Sequence, residues 1–265
     1  MTTLAGAILD LSEVLQDTVT GAATAGEATT LTDSHRSEGS GYFTNGTIWF
    51  LSGTYAGSSR QITAWDATLK KFTFDALAGA IVADVLYAAA PKDYPRWRMI
   101  RAINQALEEL GDLPEYDVSL VTVANQEAYD LPAGVRNVLR VEEATATAAP
   151  YEYMTRKCWH EIDGTIYFEM GRWPTSTDMI IRLTYRGDHA ELSADTGEVN
   201  ANVHDEVLKY HAAVYALRWK RNRTEGEDKH LDGELAMAVG QAATALARHP
   251  IEPVIPRRDV PLSNW

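Results

Sequence analysis

Residues 95–111 read PRWRMIRAINQALEELG, and residues 119–143 read SLVTVANQEAYDLPAGVRNVLRVEE. In the first stretch Met99, Ile100, Ile103, Leu107 and Leu110 recur at helical spacing, with Arg98, Arg101, Gln105 and Glu108 between them. That is the pattern of an amphipathic helix. Pro95 suits its first turn, where a missing N–H costs nothing, and Gly111 suits its C-cap. Within a few residues the apolar period falls from 3.6 to about 2, the period of a strand. Neither half carries a catalytic motif. A helix running straight into sheet, with no chemistry aboard, points to a component of an assembly rather than an enzyme.

Upstream, Leu4, Ile8, Leu11 and Leu15 share a face opposite Asp10, Glu13 and Gln16. This predicts a helix of about 15 residues capped by Thr2 or Thr3. From Thr29 to Ala90 the signals are β. Gly41–Thr44 and Thr47–Leu51 flank Asn45-Gly46, a strong hairpin signal because a type I′ turn needs two residues of positive φ. Arg60–Trp65 and Lys71–Phe74 predict a second hairpin, and Ile81–Ala88 a closing strand. Five short strands at close intervals suggest a small barrel or sandwich.

Downstream, a second β region has strands at 120–123, 128–131, 137–143, 151–154, 165–169 and 179–185. Pro132-Ala133-Gly134 and Asp163-Gly164 supply turns. Asn45–Phe50 echoes Asp163–Phe168, either as a duplicated module or simply as good hairpin sequence. Two helices follow. Val203, Val207, His211, Val214 and Arg218 step down one face of the first, and the second, 231–248, is rich in alanine, which lets helices approach closely. The last residues, HPIEPVIPRRDVPLSNW, hold four prolines and cannot be helix.

The expected fold is therefore α+β: a helical bundle core with two antiparallel β regions inserted and an extended C-terminal tail. The core would comprise the N-terminal helix, the central helix and the C-terminal helical hairpin. The boundaries are 1–19, 94–111 and 204–248 for that core, 29–90 for a small β barrel or sandwich, 118–190 for the second β region and 250–265 for the tail.

Composition narrows the function. At 265 residues, 45% hydrophobic and 23% charged, the chain has the make-up of a soluble globular protein with a sizeable core. A single cysteine, Cys158, excludes an internal disulfide framework and fits a reducing cytoplasm. No signal peptide is expected, since Asp10 and Glu13 interrupt the N-terminal stretch. No apolar run nears the ~18 residues of a membrane span. A formal charge of −13 argues against a tight, sequence-reading grip on nucleic acid, although an acidic wall lets a polyanion slide past.

The chain lacks G-x-x-x-x-G-K-[ST], H-E-x-x-H and G-x-S-x-G. His204 and His211 share a face but lie about two turns apart, too far to converge on one metal ion. No metal, cofactor or catalytic residue is expected. His160-Glu161 and His230-Leu231-Asp232 form no recognisable site, and Cys158, between Lys157 and Trp159, reads as buried filler rather than an activated thiol. Arg218, Lys220, Arg221 and Arg223 close the first C-terminal helix. They complement its dipole or face an acidic neighbour or passing DNA. In the tail, Arg257 and Arg258 lie among Ile255, Val260, Leu262 and Trp265, a mixture of charge and apolar anchors suited to a partner's groove.

Two local patterns resemble a known family. AINQALEELG followed by DVSLVTVANQEAYDLPAGVRNVLRVE, and GTYAGSSRQITAWDATLKKFTFDALAGAIVADVLY, are similar to the head-to-tail adaptor (connector) proteins of tailed bacteriophages, especially the larger adaptors of short-tailed phages. The resemblance implies a virion neck protein assembled in the host cytoplasm. It implies a homo-oligomeric ring, usually a dodecamer, docked on the portal, joined to tail or nozzle proteins and passing double-stranded DNA without reading it. Ring contacts would fall on 1–19, 94–111 and 204–248, and portal docking on 250–265. An alternative from the aromatic β modules is a glycan- or host-surface-binding tail component using Trp49, Trp65 and Trp173 as sugar platforms. Exposed tryptophans would favour it.

Overall fold

The computed structural model describes residues 2–172, 174–187 and 189–251. The chain divides into two compact units, Met1–Glu109 with Glu191–Pro250, and a second built on Leu110–Ala190.

In the first unit, α1 (Leu4–Leu15) begins at Thr3, whose side chain accepts the Gly6 N–H at 3.3 Å, and buries Leu4, Ala7, Ile8 and Leu11. Seven strands follow: β1 (Val19–Ala22), β2 (Ala25–Gly26), β3 (Thr30–Thr32), β4 (Thr47–Phe50), β5 (Ser59–Asp66), β6 (Lys71–Phe74) and β7 (Leu86–Ala90). They form one antiparallel sheet in the order β1-β7-β4-β5-β6-β3-β2. Its two edges belong to one short run of chain. Ala23 N–H donates to the Val85 carbonyl at 2.9 Å, and the next residue, Thr24, donates to Thr32 at 2.8 Å. The sheet therefore curls back on itself, which satisfies edge groups that an open sheet would expose.

Large aromatics fill the curl. Phe72 is fully buried, with ring centroids 4.4 Å from Trp65, 5.1 Å from Phe43 and 5.5 Å from Tyr87. Each such side chain contributes about 1.5–3 kcal/mol through burial alone. One polar pair sits inside: the Tyr87 hydroxyl donates to the Asp33 carboxylate at 2.7 Å, and Arg36 lies 3.2 Å from the same group. Burial pushes the Asp33 carboxyl up, but hydrogen bonds from Tyr87 and the His35 N–H, with Arg36, outweigh it and hold it below its ordinary value. Burial and Asp33 together push the Tyr87 phenol well up.

Local details depart from the sequence reading. Gly41–Thr44 is turn rather than strand, and only Asn45 of the Asn45-Gly46 pair has positive φ, at 65°. Gly46 is needed for closeness instead: a Cβ there would lie 2.0 Å from the Ala90 carbonyl oxygen. The expected strand 81–88 starts late because Asp84 takes a left-handed φ of 66°; Ile81 and Val85 plug the core from a loop. The β5–β6 hairpin forms as read, with Asp66 opposite Lys71.

The sheet leads into α2 (Arg96–Leu110), which buries Met99, Ala102, Ile103, Ala106 and Leu107. The second unit then uses β8 (Leu113–Val121), β9 (Ala128–Asp130), β10 (Val138–Ala144), β11 (Tyr153–Arg156), β12 (Trp159–Ile162), β13 (Thr165–Phe168) and β14 (Ile180–Gly187). A four-stranded sheet runs β11-β10-β14-β8 and a three-stranded one β12-β13-β9. Asp163 and Gly164 both have positive φ, 49° and 77°, so this hairpin turn is the type I′ expected. The echo between Asn45–Phe50 and Asp163–Phe168 stops at the sequence, because β4 and β13 occupy sheets of different order. Val141, Ile166, Phe168, Ile181 and Leu183 form the apolar centre. Buried Glu142 is neutralised by Arg182, 2.7 Å away, and buried Glu143 by Arg156. Back in the first unit, α3 (Asp205–Arg223) and α4 (Lys229–Arg248) complete the chain, α1 packing on α3 and α3 on α4.

The expectation of a helical bundle core is wrong. The described residues form fourteen strands and four helices, and a curled seven-stranded sheet with its own aromatic-filled core takes the place of a helical bundle as the main framework. The physical reason lies in side-chain size. Beside Val207, Leu208, Val214, Leu217 and Leu231, the α3–α4 hairpin buries the alanines Ala212, Ala213, Ala216, Ala238, Ala242 and Ala245, each worth little area. The rings of Phe43, Phe50, Trp65, Phe72, Phe74 and Tyr87 all face the inside of the sheet.

Candidate assembly interface

Of the four cations closing α3, two are spent inside the unit. Lys220 lies 3.7 Å from Asp17, 3.5 Å from Asp93 and 4.8 Å from the Tyr94 ring centroid. Burial raises Asp17 above its ordinary value, with Lys220 partly offsetting this and Asp93 adding to it. Arg221 binds Asp232 at 2.5 Å and the Gly226 carbonyl at 3.1 Å, tying the α3–α4 loop. Arg218 and Arg223 are exposed, stacked on Tyr215 and Trp219 respectively. The structure thus splits the predicted cluster into two positioning residues and two outward ones.

Helix α4 is unusual. Asp228 caps it through the Leu231 N–H, and its inner face buries Leu231, Ala238, Ala242 and Ala245. Most of its remaining circumference is exposed, including Met237 at 64% and Val239 at 44%. From Leu235 to Ala247 no residue is charged. A groove of about 530 Å³, lined by Tyr210, Met237, Gly240, Gln241 and Thr244 and bounded by the charged Glu206 and Arg248, runs along its side. Gly233 and Gly240 open onto free space, so another backbone could come close.

The histidines regroup. His204 and His211 remain apart, as their spacing requires, but His204 meets Glu206 and His249, with one ligand atom of each within 4.8 Å of the others. The two imidazole rings stack at 3.6 Å with 2° between planes. His249 Nε2 lies 3.0 Å from Glu206, and His204 Nδ1 accepts the Glu206 N–H at 3.2 Å. Parallel rings hold their in-plane lone pairs in two planes that do not meet, so the trio is better suited to a helix-end clasp than to convergence on one metal ion. The sequence held no local signal for it, because His249 lies 43 residues from Glu206. His211 is half-buried, 3.3 Å from Glu109. Cys158 is half-buried in the second unit.

Trp49 and Trp65 are 3% and 4% exposed, so neither is a sugar platform; Trp173 lies outside the described residues. The tail positions Ile255, Arg257, Arg258, Val260, Leu262 and Trp265 also lie outside them. Among the described residues no helix is long and apolar enough to cross a membrane.

The exposed stretch Leu235–Ala247 of α4 carries no charge and offers a contact surface. Residues 64–257 match the family model described as SU10 adaptor protein, and the chain belongs to that family, a family of phage head–tail adaptors. It is a phage structural adaptor protein. A search of curated proteins found no match.

Proposed function

We propose that copies of this chain assemble into a ring in the virion neck, between portal and tail or nozzle, through which DNA passes without sequence-specific contact and without chemistry. The observation that carries the reading is the outer face of α4, uncharged from Leu235 to Ala247 yet exposed to solvent. Free surfaces normally carry charges of both signs, and a contiguous apolar and small-residue face marks a contact surface. Ring closure needs a heterologous contact that repeats around an axis; twelve copies is the number the family resemblance suggests. The acidic balance, −13 per chain, supports a channel that repels rather than grips phosphate. The tail from Pro250 to Trp265, with Arg257 and Arg258, is the segment we assign to portal docking.

Electron microscopy and native mass spectrometry of the purified protein, alone and with its portal, test this. Rings are expected for the wild type. Gly240→Arg, placed on the open face of α4, is expected to leave the fold intact and abolish them. A protein that stays monomeric with its portal present, or a Gly240→Arg variant that forms normal rings, overturns the reading. Deleting residues 250–265 is expected to leave rings that no longer bind portal; undiminished binding would sink the docking assignment.

A further inference from the structure

An arginine that should not be comfortable marks a second surface. Arg98 on α2 is only 8% exposed, its Nε has no hydrogen-bond partner, and among the described residues no carboxylate lies within ion-pair distance of it. Its guanidinium stacks on the Trp219 ring, 5.0 Å from the centroid, and Arg223 stacks on the same indole at 4.7 Å. Trp97 meets Trp219 edge to face at 6.1 Å and is 56% exposed. Arg101, one turn along α2, is exposed and, after burial itself, is the second cause that draws the Arg98 pKa down. None of Arg98, Arg101 and Arg223 is ion-paired among the described residues. The chain holds 37 carboxylates for 24 Lys and Arg, and elsewhere it pairs its buried arginine Arg96 with Asp195. Leaving a partly desolvated guanidinium without an anion is unfavourable.

The other flank of Trp97 is concave. A cleft of about 320 Å³ lies between α2 and the sheet, lined by Asn45, Thr47, Arg60, Gln61, Trp97 and Ile100. Most of its lining is polar, and Trp97 both lines it and touches Trp219, on which Arg98 and Arg223 stack. The net charge of −13 repels an extended polyanion such as a nucleic acid more than a short acidic segment. A polypeptide can use both features.

We propose that the Trp97 surface is the docking site for an acidic segment of a partner protein, whose carboxylates reach Arg98, Arg101 and Arg223 while an uncharged polar side chain enters the cleft. Arginine and tryptophan are the residues that dominate protein interfaces, and guanidinium groups pair with carboxylates in bidentate geometry. The proposal deepens the adaptor reading, on which it rests for the kind of partner; the titration below does not require rings, so the two can fail separately.

The test is fluorescence anisotropy on the full chain at about 150 mM salt, where surface charge is screened within about 8 Å. The probes are a labelled peptide of alternating glutamate and glutamine and a labelled DNA duplex. The peptide is expected to bind, and Trp97→Ala and Arg98→Met each to weaken it at least about 10-fold, the effect of a hot-spot contact. Because Arg98 is uncompensated in the free protein, Arg98→Met is also expected to keep or raise Tm. No peptide binding, or binding indifferent to both substitutions, overturns the proposal. So does tighter binding of the duplex, which would make the patch a phosphate site. A marked fall in Tm for Arg98→Met would make Arg98 a structural residue and overturn it equally.

Discussion

Replacing Phe72 by alanine tests where the stability of the first unit resides. Phe72 is fully buried on β6 and touches three aromatic rings at 4.4–5.5 Å. Truncating a buried Phe to Ala costs about 3–5 kcal/mol, from lost transfer energy plus the cavity left behind. Loss of ring pairs worth about 0.5–1.5 kcal/mol each places this site at the upper end, about 4–5 kcal/mol. The ring's partners lie on other strands and on the turn that carries Phe43, so the sheet cannot easily collapse onto the hole. For a unit of this size about 1 kcal/mol moves Tm by roughly 2–4 °C, giving a drop of roughly 8–20 °C. Equilibrium denaturation followed by far-UV circular dichroism and by tryptophan emission, with Trp65 beside the cavity, measures it. Met237→Ala on the exposed face of α4 is the control, with an expected effect within about 0.5 kcal/mol in the free protein. A cost below about 1.5 kcal/mol for Phe72→Ala, together with a larger one for Leu208→Ala on α3, would refute the conclusion that the sheet is the centre.

Two further outcomes follow from the buried charges. Asp33 has a folded pKa below its unfolded value of about 3.9, so its contribution is complete above that pH and is lost as pH falls through the folded value. Asp33→Asn is therefore expected to flatten the fall in Tm below about pH 4, and an unchanged acid profile would count against the Tyr87–Asp33–Arg36 network. In the second unit, Arg182→Met leaves Glu142 buried with only Arg140, 3.7 Å away. After discounting for the partial exposure of Arg182, a loss of about 2–3 kcal/mol is expected in urea unfolding; a change under about 0.5 kcal/mol would show the pair to be solvated.

Some of the fold was legible because its causes are local. The periodicity of Met99, Ile103 and Leu107 lies within one helix, and the Asp163-Gly164 turn needs only two residues able to adopt positive φ. Asn45-Gly46 carried the same signal and failed, because Gly46 serves a close approach to Ala90, 44 residues on. The cations of α3 show the same divide. Their clustering was plain in the sequence, but Lys220 is claimed by Asp17 and Asp93, and Arg221 by Asp232. Arg98 carried no sequence signal at all, since an arginine at helical spacing between apolar residues looks solvent-facing.

By itself, the sequence determined the local elements, the absence of known catalytic motifs and, through its motifs, the resemblance to head–tail adaptors that the family match upholds. The tertiary structure decided what is central. It placed the aromatic rings inside a sheet whose edges meet at Ala23 and Thr24, and it left most of α4 exposed. It also decided which charges are answered within the chain and which are not. The reason is range: helix period and turn chemistry act over a few residues. Sheet closure, burial and ion pairing depend on neighbours as distant as Tyr87 from Asp33 or Arg96 from Asp195.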